Sequence, residues 1–201
     1  PSLAPYEDDD YVLAESITNA GNVVLATTET DAEGNTNVMG GDENVKAMGA
    51  TVGNARFPFD ADAKIRRFDR VRGGIPTLSV AAVTRATGKA PAESEFSNGT
   101  AWINFVGGPG TVPRIPFYKV LNGDFDPKMV KGKIVIVGAT NDALQDIHPT
   151  SSAKGMPGPE IHANSIATIL NTFPMDKAPW IIALLLILLL GFAEPLLNLR
   201  F

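Results

Sequence analysis

Residues 131–170 read KGKIVIVGATNDALQDIHPTSSAKGMPGPEIHANSIATIL, and the order of residue types in this stretch decides the fold class. Ile134–Val137 is an apolar, mostly β-branched run between glycines, which predicts a strand buried on both faces. Gly138-Ala139-Thr140 follows, then a polar loop with Asn141, Asp142, Asp146, His148, Thr150, Ser151 and Ser152. Pro157, Pro159 and Glu160 next suit the first turn of a helix, where free N–H groups and the positive dipole end favour them. Ile161, Ser165, Ile166, Ile169 and Leu170 recur at helical spacing and predict its core-facing stripe, with Asn171 as the stop. Strand, turn, loop and helix in this order, with helices alternating with strands upstream, predict a layered α/β fold: a sheet with flanking helices. Ligands in such folds collect beyond the carboxyl ends of the strands. The loop after Val137 is therefore the first place to look for a site, and it leads through both histidines of the chain, His148 and His162.

Upstream, Asp8–Asp10 are placed to cap a helix over Tyr11–Asn19, with Val12, Leu13, Ser16 and Ile17 on one face and Gly21 as its stop. Asn22–Thr27 predicts a short strand, residues 28–42 a loop, and Val52–Phe57 a strand ending at Pro58. Lys64–Arg70 reads as an edge strand. Arg66, Arg67, Arg70 and Arg72 cluster there, as a solvated strand face or as a contact for an anion or headgroup. Pro76 suits the first position of a helix over Thr77–Thr87 that stops at Gly88. Ala101–Val106 predicts a strand, GGPGTVPRIP after it a turn, and Phe117–Leu121 a short helix. The glycine-rich turn lacks the Gly-Lys-Ser/Thr ending of a phosphate-binding loop.

The chain has 201 residues and a formal net charge of −5, without the basic surface that nucleic-acid binding uses. It contains no cysteine, which removes disulfides, thiolate metal ligands and thiol nucleophiles. Downstream, Trp180–Ala193 (WIIALLLILLLGFA) carries no charge and no polar face. That pattern predicts a C-terminal transmembrane helix rather than a surface helix, continued towards Leu199 past Glu194 and Pro195. Trp180 suits the membrane interface, and Leu184, Leu188 and Phe192 are expected to complete the anchor. The expected organisation is a soluble domain over residues 1–176 and a transmembrane segment over 178–201. Lys177 and Arg200 flank the run and leave its orientation undecided by charge.

The candidate ligand-binding residues are Thr140, Asp146, His148, Thr150, Glu160 and His162. Asp146, His148, Glu160 and His162 are types that zinc accepts, but the spacing places no two of them as a ligand pair on one helical face. No metal or cofactor is expected. Ser151 or Ser152 beside His148 or His162 is no hydrolase signature, because no Gly-x-Ser-x-Gly elbow is present. No catalytic residues are expected. A loop tied down by its own polar side chains competes with a small-ligand or pH-sensing site.

GKIVIVGAT, LQDIHPT and PGPEIHANSIATIL together resemble the signature end of the second family of CHASE domains, the cyclase- and histidine-kinase-associated sensory extracellular domains. GNVVLA at 21–26, DADAKIRR at 60–67, IPTLSVAA at 75–82 and INFVGGPGTVPRIPFYKVLNGDFDP at 103–127 extend the resemblance over about residues 10–172. It implies a non-catalytic sensory or interaction domain on the periplasmic or extracellular side of a bacterial cell membrane, followed by membrane helices. It also implies an N-terminal span and an initial strand–helix segment, neither of which is read in this chain. Membrane lipid, other transmembrane subunits or a second copy, and a small-molecule or protein signal are the expected partners. The competing readings are a structural accessory subunit bracing a larger membrane complex, and a metal-binding or hydrolytic enzyme using the Asp146–His162 region.

Overall fold

The computed structural model describes residues 7–175 and 179–198. Lys177 and Arg200, the charges that flank the apolar run, lie outside the described residues. Helix α1 (Glu7–Ala20) starts earlier than its sequence suggests, so Asp8–Asp10 lie inside its first turns rather than ahead of it. It ends where Gly21 takes a left-handed conformation. Strand β1 (Val24–Thr27), helix α2 (Asp42–Ala47) and strand β2 (Thr51–Asn54) form a small parallel unit, with Val24 opposite Thr51 and Thr27 opposite Asn54. Helix α2 falls in a region where sequence alone predicts no element.

Helix α3 (Leu78–Thr87) packs on both strands, and Gly88 closes it in the left-handed conformation. Pro76 is not its first residue. It pairs in the short hairpin of β4 (Val71–Arg72) and β5 (Ile75–Pro76), and Thr77 takes the N-cap position. Gly53 lets β2 and α3 meet, since a Cβ there would sit 2.6 Å from Leu78 Cα. Arg85 near the end of α3 donates to the carbonyls of Gly21 and Gly49, 2.6 Å each, and so ties together the chain just beyond α1 and α2.

The expected continuous sheet is absent among the described residues. The β-structure is four two-stranded pairs: β1–β2, β4–β5, the antiparallel β3 (Arg67–Asp69) with β6 (Thr100–Trp102), and β7 (Ile147–His148) with β8 (Met156–Pro157). The strand predicted over Ala101–Val106 stops at Trp102, and helix α4 follows at Phe117–Leu121. Ile134–Val137 is the largest departure. Ile134 and Ile136 face the core, but Val135 and Val137 are 55% and 81% exposed. Among the described residues Ile134–Thr140 make no backbone–backbone hydrogen bond. The segment alternates sides, but no strand pairs with it among the described residues.

Helix α5 (Gly158–Leu170) holds the main core together. Ile161, Ile166 and Ile169 pack with Ile65, Phe68, Val80, Val83, Phe96, Ile103 and Met156. Leu170, expected on that stripe, is exposed. A second, smaller core gathers Ile17, Val45, Met48 and Ala50 beside Leu25 and Val52. Of the expected apolar face of α1 only Ile17 is buried, and Val12 and Leu13 are exposed.

Helix α6 (Trp180–Asn198) is the last element. Every residue from Trp180 to Phe192 is exposed, so this apolar run does not join the core. Side chains are described as far as Phe192, about 20 Å of helix. Among the described residues no helix is long and apolar enough to cross a membrane.

Candidate functional site

Parallel pairing brings the carboxyl ends of β1 and β2 side by side at Thr27 and Asn54. A cleft of about 730 Å³ opens beyond them. Ala55–Phe59 leaves β2 along one side of it, and Ile136, Val137 and Gly138 form another wall. Leu78 at the start of α3 and Gly158, Pro159 and His162 at the start of α5 also line it, together with Gln145, Asp146 and His148. A smaller cavity of about 420 Å³ is lined by Thr28, Glu29, Thr30, Asn54 and Gly73, and shares Arg56, Arg72 and Thr28 with the first.

Two glycines of the 131–170 stretch sit at close approaches in this geometry. A Cβ on Gly138 would collide with the ring of Pro159, and one on Gly158 with the carboxylate of Asp146. The Gly158 N–H also donates to the Asp146 carbonyl, 2.9 Å. The turn after Val137 and the start of α5 therefore interlock. Gln145 takes the left-handed conformation (φ 57°), uncommon for a residue with a Cβ, and leads directly into Asp146.

The two histidines do different work. His148 Nε2 lies 2.9 Å from Asp146 Oδ1, at the partly open edge of the cleft, with Phe59 edge-on at 5.9 Å. His162 is buried. Its Nε2 is 3.2 Å from the Ala55 carbonyl and its Nδ1 is 3.3 Å from Ser79 Oγ. A carbonyl can only accept, so Nε2 carries the proton and Nδ1 accepts from the serine hydroxyl. Phe57 covers the ring at 4.4 Å. Burial holds the His162 pKa down at about 4, despite the bond to Ala55, with the nearby His148 adding to the depression.

Asp146, His148 and His162 thus share one cleft, and the other candidates do not. Glu160 turns away into the protein, where its carboxylate accepts from the N–H groups of Gly110 (2.8 Å) and Val112 (3.1 Å). Thr150 is buried and accepts from Ala153 N at 3.1 Å. Thr140 is exposed and is not part of the lining. With Glu160 drawn away, the acids and histidines of 146–162 do not converge on one point. No group of three such side chains fit for a metal is found among the described residues. Ser152 bonds to Thr150, and the hydroxyl that meets a histidine is Ser79, itself 1% exposed. Its histidine is backed by a carbonyl rather than a carboxylate, so the pair lacks the parts of a nucleophilic triad.

The basic cluster is largely neutralised. Arg66 binds Asp60 (2.9 Å) and Asp62 (2.7 Å), Arg67 binds Asp60 and lies over the Trp102 ring at 5.5 Å, and Arg72 Nε meets Asp69. Hydrogen bonds from Arg66 hold the Asp62 carboxyl down at about 2. The ARFPF stretch at 55–59 is what sequence reasoning missed. Two aromatics around a proline just past a strand end are a usable signal, because Pro58 keeps Phe57 out of helix.

The family model described as CHASE2 domain matches residues 2–193. No curated protein and no solved structure matches the chain.

Proposed function

The chain belongs to the CHASE2 domain family, a family of sensory rather than catalytic domains, and on that premise we propose that it is an extracytoplasmic sensory domain held in a bacterial cell membrane by α6. The observation that carries the anchor is the contrast within α6: apolar all round, yet exposed from Trp180 to Phe192. A buried core helix would be covered by protein, and a surface helix would show a polar face. A bilayer supplies the missing cover. The helix backbone runs on to Asn198, 19 residues in all, or about 28 Å against a hydrocarbon core of about 30 Å. The family match also continues through the run to residue 193.

The cleft at the ends of β1 and β2 is where a signal would be read. Its floor includes Gly158, Pro159 and His162 of α5, and α5 ends at Leu170, ten residues before α6 begins at Trp180. One wall, Ile136–Gly138, has no backbone hydrogen bonds to hold it among the described residues. A ligand that binds one position of this wall better than another shifts the population of the two, which is all that sensing requires.

The anchor is tested by fractionating cells that express the full chain and washing the membranes with alkaline carbonate. The wild-type chain stays in the membrane. A Leu184→Arg, Leu188→Arg variant is released, since each charge costs about 3 kcal/mol at mid-bilayer. External protease on spheroplasts cleaves the domain in the wild type. A chain that washes off, or a domain that only lysis exposes, overturns the reading.

A further inference from the structure

We propose that the cleft beyond β1 and β2 binds a small organic carboxylate with an apolar body, its carboxylate on Arg56 and Arg72 and its body against Phe57, Phe59 and Ile136. The inference rests on the sensory reading above and gives the signal its chemical class.

The arginines supply the first argument. Arg66 and Arg67 are each bound by aspartates outside the cleft. Arg56, at the exit of β2, has no carboxylate within ion-pair distance among the described residues. Arg72 meets Asp69 through Nε, and its terminal nitrogens make no hydrogen bond among the described residues. Arg56 and Arg72 line both cavities, so they stand where the two meet. Both residues line one cleft, and a guanidinium offers a carboxylate paired, charge-assisted hydrogen bonds.

The rest of the lining sets the body of the ligand. Phe57, Pro58, Phe59, Leu78, Ile136 and Val137 are apolar and come from three separate segments. A largely apolar lining with a small number of polar groups is the usual make-up of a small-molecule site. Asp146 is engaged by His148, Asp69 meets Arg72 only through Nε, and Glu29, which shares the smaller cavity with both arginines, forms no ion pair with either among the described residues. An ordinary metabolite-sized acid fits a volume of about 730 Å³.

The test is calorimetric titration of the full chain, in lipid nanodiscs at neutral pH, with phenylacetate, hexanoate and the neutral isostere phenylacetamide. At least one acid binds, and phenylacetamide binds about tenfold or more weakly than phenylacetate. Arg56→Gln lowers the affinity for the acid by about tenfold or more, and Arg56→Lys recovers part of it. Arg56 is exposed, so an unchanged melting temperature of the unliganded Arg56→Gln protein separates lost binding from lost folding. Absence of binding by both acids at millimolar concentration overturns the proposal. Equal binding of acid and amide, indifferent to Arg56, also overturns it while leaving a sensory cleft in place. Failure of the anchor shows instead in the carbonate wash, whatever the titration gives.

Discussion

Helices α5 and α6 invert the usual relation between composition and burial. Helix α6 is leucine-rich and exposed throughout Trp180–Phe192. Helix α5 carries Glu160, His162, Asn164, Ser165 and Thr168, and buries all of them. The reason lies in what stands beside each helix. Residues 104–112 run along α5 without a strand partner among the described residues, and side chains of the helix replace the missing strand. Thr168 accepts from Asn104 N (2.9 Å), Asn164 from Val106 N (2.9 Å), and Glu160 from Gly110 N and Val112 N. These acceptors stand four residues apart, one above another on the helix. Burying them satisfies backbone donors that would otherwise lie in the core unpaired. Helix α6 has no such neighbour among the described residues. Apolar content thus says that a helix avoids water, and not whether protein or lipid covers it.

The sharpest way to break this comparison is to shorten one apolar side chain in each helix. Ile161→Ala, at a fully buried site, is expected to cost about 4 kcal/mol. Leu185→Ala, 58% exposed, is expected to stay within about 0.5 kcal/mol. Denaturant unfolding of the detergent-solubilised chain, followed by near-UV circular dichroism, measures both. Equal losses would mean that α6 packs on the domain after all.

Acid probes the buried polar side of α5. The His162 pKa is depressed in the folded chain, so the unfolded chain binds the extra proton first as pH falls. Stability is complete above pH 6.5, declines towards pH 4, and is flat below for this group. The decline is on the order of 3 kcal/mol. His162→Gln should remove that slope in a series of unfolding curves. A slope unchanged in the variant would assign the effect to other groups.

The smallest of these effects tests how α5 is joined to the cleft. Gly158→Ala forces the Asp146 carboxylate aside and is expected to cost about 2 kcal/mol. It should also separate His148 from Asp146, which histidine NMR reads as changed ring chemical shifts of His148. A neutral substitution would show that the loop and α5 do not interlock.

Much of the local structure was legible in advance, and much of the site was not. Phe117–Leu121 and the stop at Gly88 follow from short-range rules, and the structure agrees with them. Ile134–Val137 reads as a buried strand because four consecutive apolar residues usually have cover on both faces. A strand needs a partner, however, and partners come from elsewhere in the chain. The site shows the same limit. Asp146 and His148 are neighbours in sequence, but Arg56, Phe57 and Ala55 share their cleft only through tertiary contacts, among them His162 Nε2 with the Ala55 carbonyl and Ile65 N with the Pro149 carbonyl. Glu160 resembles a ligand residue until Gly110 and Val112 are seen to occupy it.

By itself the sequence determined the family, the helical runs other than α2, and a C-terminal apolar run with no polar face. Each depends on residue types within a few positions, or on their order along the chain. Only the tertiary structure decided that one histidine is sealed under Phe57 while the other stays at the edge of a cleft. It also decided that Arg56 is left without an acid among the described residues and that the polar stripe of α5 stands in for a strand. Those outcomes depend on which distant groups satisfy a given charge or N–H, and burial leaves each group only the partners that the fold brings to it.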